Sequence, residues 1–210
     1  MGYIRKKLSS RNIIERIITT AVLFSAIFFG GMIISYFLLP EGLLKNKNPL
    51  MSWDVSDNSL LLTLQILFYN LLSVVVIIAA SLFGSRKTEE ENYLSAGYTA
   101  FFTLIAINSA VLGTWSFSVE TEAVPLLGRI AGVFDLAHRA GLWEMAGQLF
   151  ITCAAAHISI IQTSGGKTTK RKLRDIRLTK SEKAALIAGF ALMIIGAAVE
   201  SISISSLMQA

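Results

Sequence analysis

Apolar residues along this chain gather into five long runs separated by short polar stretches, at 17–39, 60–83, 96–117, 142–161 and 184–204. Each is close to, or longer than, the ~20 apolar residues that an α-helix needs to cross a bilayer. The pattern predicts an all-α, polytopic helical membrane protein, a single integral-membrane domain over residues 1–210 with five transmembrane helices. Pro40 stops the first run, because proline cannot continue a helix. Thr179-Lys-Ser-Glu182 has the form of a capping box and marks the start of the fifth helix. Residues 118–139 behave differently. Val124, Leu127, Ala131 and Phe134 fall at helical spacing, but the piece is too short to span, so it predicts a short interfacial or re-entrant helix before the fourth span. The basic start resembles the beginning of a signal peptide. The run behind it is too long for a signal core, and no small-residue cleavage site follows, so it is expected to stay as a span.

Composition agrees. Hydrophobic residues make up 53% of the 210 and charged residues 16%, against about 25% charged in a soluble domain. Mean hydropathy is +0.60. The chain has one cysteine, Cys153, which excludes an intrachain disulfide or a thiolate metal cluster and suits a packing role.

Charge adds orientation. With five spans, the N-terminal segment, residues 84–95 and the loop from Lys167 to Lys183 share one side and hold fifteen Lys and Arg, against Lys45, Lys47, Arg129 and Arg139 on the other. The positive-inside rule then predicts a multi-pass protein of the cell membrane with a cytoplasmic N-terminus and an external C-terminus. The pI of about 9.4 is explained by these orienting cations, with membrane lipids and no nucleic acid as partners. The basic loop is also placed to meet anionic headgroups, at about 1 kcal/mol per cation near the surface, or to dock a cytosolic protein.

The candidate chemistry is intramembrane. Glu144, Gln148 and Thr152 recur at steps of four, on one face of the fourth helix. Glu200 sits on a stripe with Ala185, Gly189, Met193 and Gly196. Counted from the inner ends of their spans, both glutamates stand roughly 25 Å from the cytoplasmic side, in the outer part of the bilayer. Two carboxylates in a low-dielectric site do not both stay charged cheaply, so a proton, a cation or a basic side chain is expected between them. The candidate polar cluster is Glu144, Glu200, His138 and Gln148. Gln65, Tyr69 and Asn70 in the second span read as groups that hydrogen-bond between helices. Gly166-Lys167-Thr168 has the look of a phosphate-loop ending, but Ile161 occupies the position of the required glycine. His157 reads as a helix-end residue. No catalytic constellation, cofactor site or metal site is expected.

Two patterns carry a family likeness. Gly141-Leu-Trp-Glu144-Met is followed by Cys153-Ala-Ala-Ala156, and the last span ends in Ala197-Ala-Val-Glu200-Ser-Ile-Ser. These resemble the stage II sporulation protein M family of polytopic membrane proteins, over roughly residues 60–204 in layout and most specifically in the last two spans. The family places His directly before the glycine; here Ala140 stands there and His138 lies two positions earlier. The resemblance implies no general enzymatic activity. It implies a non-enzymatic membrane subunit, a scaffold or permease-like component of an envelope complex, partnered by its own copies or by other membrane or ATPase subunits. The residues themselves also admit a small transporter or channel for a cation or lipid-like substrate, using a Glu144/Glu200 cavity, and an intramembrane hydrolase using His138 with a carboxylate.

Overall fold

The computed structural model describes residues 2–45, 58–87, 90–116, 123–136 and 141–208. Among them are a short basic helix, α1 (Gly2–Leu8), and three long apolar ones, α2 (Ile13–Leu38), α3 (Ser59–Ser81) and α7 (Lys180–Met208). The stretches Ile13–Leu38, Ser59–Ser81 and Lys180–Ile202 are long and apolar enough to cross a membrane. Two more helices are shorter, α4 (Gly97–Gly113) and α6 (Leu142–Ala154). Only 17% of the most apolar window of α2, and of α3, is buried. Ile18, Val22 and Phe37 on α2 and Leu64, Phe68 and Val75 on α3 point outward. An apolar exterior of this extent is the surface of a helical membrane protein.

Capping side chains fix where the long helices start. Asn12 accepts from Ile14 N–H before α2, and Asn58 accepts from Leu60 and Leu61 N–H before α3. The capping box forms as the sequence predicts: Glu182 N–H donates to Thr179 Oγ1 (3.2 Å), and Thr179 N–H donates to Glu182 Oε2 (2.9 Å).

Helices α2, α3, α4, α6 and α7 run alternately between two polar ends. One end carries a small sheet of β1 (Phe83–Arg86), β2 (Leu94–Ser95), β3 (Ile161–Ser164) and β4 (Lys167–Lys170), in the order β2-β1-β3-β4. Strands β1 and β3 pair in parallel, from Phe83 opposite Ile161 to Arg86 opposite Ser164, and the other pairs are antiparallel. At the opposite end Gly42 N–H donates to Thr114 O (2.7 Å), and Ser201 Oγ donates to Ser59 O (2.8 Å). The three segments that hold the positive excess all meet at the sheet end.

The sheet corrects two expectations. The segments between spans are not plain loops, and the fourth helix does not reach residue 161. It stops at Ala154 and tightens into a 3-10 turn, Ala155–His157. The next residues, Ile158-Ser-Ile-Ile-Gln-Thr163, are rich in β-branched side chains, which favour strands. Leu82 O draws them in, accepting from Ile160 N–H (2.8 Å) and Ile161 N–H (2.9 Å). Gly165 and Gly166, at φ 54° and 80°, supply the left-handed turn between β3 and β4.

A further short helix, α5 (Leu126–Leu136), lies at the opposite end, within the segment where a short non-spanning helix is expected. Its buried Arg129 ties it to the bundle. The guanidinium donates to Val124 O (2.7 Å) and to Gly113 O. It pairs with Glu41 at 3.2 Å and stacks over Tyr36 (4.7 Å) and Trp115 (5.3 Å).

Candidate functional site

Close approach of two backbones builds the site. On α6, Gly147 packs between Gly189 and Met193 of α7; a Cβ added at Gly147 would stand 2.7 Å from Gly189 O, and one at Gly189 would stand 2.8 Å from Gly147 O. Only glycine permits this contact, as in other small-residue membrane interfaces. It sets the register of the two antiparallel helices. Glu144 then lies about level with Ile194, and Glu200 stands six residues further along α7, roughly 9 Å higher at the backbone.

Helix geometry closes that gap. Side chains lean toward the N-terminus of their own helix. Because α6 and α7 are antiparallel, Glu144 and Glu200 lean toward each other. Their carboxyl groups come within interaction range of each other. An ionised carboxylate only accepts, so a hydrogen bond between the two requires a proton on one of them. From α3, Asn70 Nδ2 donates to Glu144 Oε1. Three helices therefore meet at one polar junction. Asn70 is the midpoint of α3 (Ser59–Ser81), whereas Ser201, next to Glu200, meets Ser59 at the start of α3, so the junction runs from mid-bundle at Glu144 toward the end opposite the sheet at Glu200. Counting placed both glutamates at one depth and left out the offset that the glycine register imposes. Glu144 is in the first turn of α6, where free N–H groups and the helix dipole favour negative charge.

Other sequence candidates fall in different places. Gln148, one turn below Glu144, is buried at 6% exposure, and its Oε1 has no hydrogen-bond partner among the described residues. Thr152 is fully buried and its hydroxyl donates to Gln148 O (2.7 Å). His138 lies outside the described residues, as does Arg139. His157 ends the 3-10 turn, with Nε2 3.1 Å from Ser10 O. Cys153 is buried, with Sγ 3.3 Å from Thr20 Oγ1, as a packing residue should be.

A buried ion pair near the sheet end escapes sequence reasoning. Arg16, fully buried, donates from NH2 to Glu182 Oε1 (2.7 Å) and from NH1 to Ser10 O (2.9 Å). In the sequence it is one more cation of the basic N-terminal segment. Its place as the fourth residue of a helix that opens at Ile13, on the same face as the buried Thr20, is the signal that marks it. Among the described residues there is no group of three or more His, Cys, Asp or Glu side chains placed to hold a metal.

Comparison with known protein families, with curated proteins and with solved structures finds no match.

Proposed function

We propose that this chain is a non-enzymatic integral-membrane subunit, a permease-like component of an envelope complex, with the Glu144–Glu200–Asn70 junction as its working site. The observation that carries the proposal is the meeting of two carboxyl groups and an amide from three helices inside an apolar bundle. Ionisable groups at membrane depth cost about 2.5–3.5 kcal/mol each on insertion scales, and they tend to mark ion or proton pathways. The likeness to the stage II sporulation protein M family, in Gly141 to Ala156 and Ala197 to Ser203, supports a subunit role rather than a catalytic one. Five crossings with a cytoplasmic N-terminus fit the alternation of the five helices and the gathering of cations at the sheet end. In this assignment α4 and α6 cross as shorter helices, with α4 packed on α2 and α3 and α6 packed on α2, α3 and α7.

The tight Gly147–Gly189 seam favours a second reading, in which the junction only locks α6 to α7. One experiment separates the two. Tagged protein is purified in mild detergent, co-purifying proteins are identified by mass spectrometry, and the sample is reconstituted into vesicles holding a pH-sensitive dye. Wild type should bring down a membrane or ATP-binding partner and admit protons under an imposed potential. Glu200→Gln should keep the elution profile and the partner but lose the flux. Equal flux from both proteins, or loss of folded protein on this nearly isosteric change, would leave the structural role standing.

A further inference from the structure

Below the bundle, at the sheet end, a cleft of about 420 Å³ opens between the α1–α2 junction, the segment before β2 and the segment before α7. That volume is within the usual range for small-ligand sites, about 300–1,000 Å³. Three guanidinium groups line it, from Arg11, Arg171 and Arg177. None forms an ion pair among the described residues, where the pairs are Arg5–Glu90, Lys7–Glu15, Arg16–Glu182, Arg129–Glu41 and Arg174–Asp175. Two of the three lining carboxylates are engaged elsewhere. Glu182 is held by Arg16 and by the capping box, and Asp175 lies 3.9 Å from Arg174. Glu91 alone is left against three arginines.

The arginines differ in how they are held. Arg171 is fixed, donating from NH1 to His157 O (3.2 Å) and from NH2 to Asp175 O (3.1 Å). Arg11 and Arg177 are exposed. One rigid guanidinium flanked by two adjustable ones suits an anion with several oxygens, because the planar fork of arginine matches phosphate geometry. Location narrows the ligand. Arg11 stands two residues before α2 begins at Ile13, and Arg177 three before α7 begins at Lys180. The cleft therefore opens where two apolar helices leave the polar end, the level at which headgroups lie if these helices cross a membrane.

We infer that this cleft binds a phosphate-bearing anion, either the headgroup of an acidic phospholipid or a free phosphate compound, through Arg11, Arg171 and Arg177. The test uses the full chain in a neutral detergent and follows its melting temperature. Pyrophosphate is titrated in one arm, phosphatidylglycerol in a second and phosphatidylcholine in a third. Saturable stabilisation by pyrophosphate identifies a site open to free phosphate compounds; stabilisation by phosphatidylglycerol alone identifies a headgroup site. In either case the double variant Arg11→Gln/Arg177→Gln should weaken the apparent affinity about tenfold or more, the loss expected for charge-assisted hydrogen bonds. Lys172→Gln/Lys180→Gln, which removes the same charge outside the cleft, should leave it within about twofold. The inference is overturned if neither anion stabilises, if phosphatidylcholine does as well as phosphatidylglycerol, or if both double variants lose affinity equally.

Discussion

Two pairs of ionisable groups hold this bundle, one buried and one half-buried, and they are chemically opposite. At the sheet end Arg16 meets Glu182, a cation and an anion at 2.7 Å. Every oxygen of that carboxylate is used, one by Arg16 and the other by the N–H and hydroxyl of Thr179. Between mid-bundle and the opposite end Glu144 meets Glu200, two acids with Asn70 as a third partner. No cationic side chain pairs with them among the described residues. The first pair neutralises itself with groups the fold supplies. The second is complete only with a proton or a bound cation, which has to come from outside. A pair closed by the fold serves stability, whereas a pair closed by an exchangeable ion is suited to transport or switching.

The largest expected effect falls on the self-contained pair. Arg16→Leu leaves Glu182 buried without its cation, which should destabilise the protein by about 3–5 kcal/mol. Thermal unfolding in detergent measures this, and Arg16→Leu/Glu182→Leu should recover much of the loss. Glu200→Gln should cost far less, since an amide can still donate to and accept from Glu144. Equal losses from the Arg16 and Glu200 substitutions would erase the distinction between the pairs.

Next in size is the seam that positions the acids. Gly147→Leu has to push against Gly189 O and Met193, and overpacking of this kind costs about 1–3 kcal/mol. The same variant should lose the proton flux proposed above, because α6 and α7 can no longer hold the register that joins the carboxyls. Normal flux with reduced stability would detach the site from the seam.

Much of this was legible in the chain. Long apolar runs gave the helices, Thr179 and Glu182 gave the capping box, and the paired stripes on the last two helices pointed to Glu144 and Glu200. What escaped was whatever depends on partners distant in sequence. The parallel pairing of Phe83–Arg86 with Ile161–Ser164 joins segments almost eighty residues apart, and a short apolar run reads the same whether it ends a helix or starts a strand. Arg16 looked like an orienting surface charge because its partner lies 166 residues away. The depth of the carboxyl pair needed the Gly147–Gly189 contact, which a stripe of small residues suggests without fixing its register.

A smaller effect belongs to an ion pair outside the bundle. Arg5 clasps Glu90 at 2.8 Å. The hydrogen bond from Arg5, helped by Lys87 N–H and nearby cations, holds the Glu90 carboxyl down to about 2, below the ordinary value near 4.3. The folded group is the stronger acid, so its contribution is present above pH ~4.3 and fades as the pH falls toward ~2. Hydrogen exchange of the α1 amides, corrected for its intrinsic pH dependence, should show α1 loosening across that window. Arg5→Gln should remove the step. A step that persists in the variant would place its origin elsewhere.

Whether Glu144 and Glu200 form one site is decided by a double-mutant cycle on thermal stability. Wild type, Glu144→Gln, Glu200→Gln and the double variant are melted in the same detergent at neutral pH. Contacting groups show coupling, typically about 0.5–3 kcal/mol, while independent sites add to within about 0.3–0.5 kcal/mol. The shared junction predicts a departure from additivity of about 1 kcal/mol or more. Additive effects would mean that the two acids act separately and that no shared junction exists.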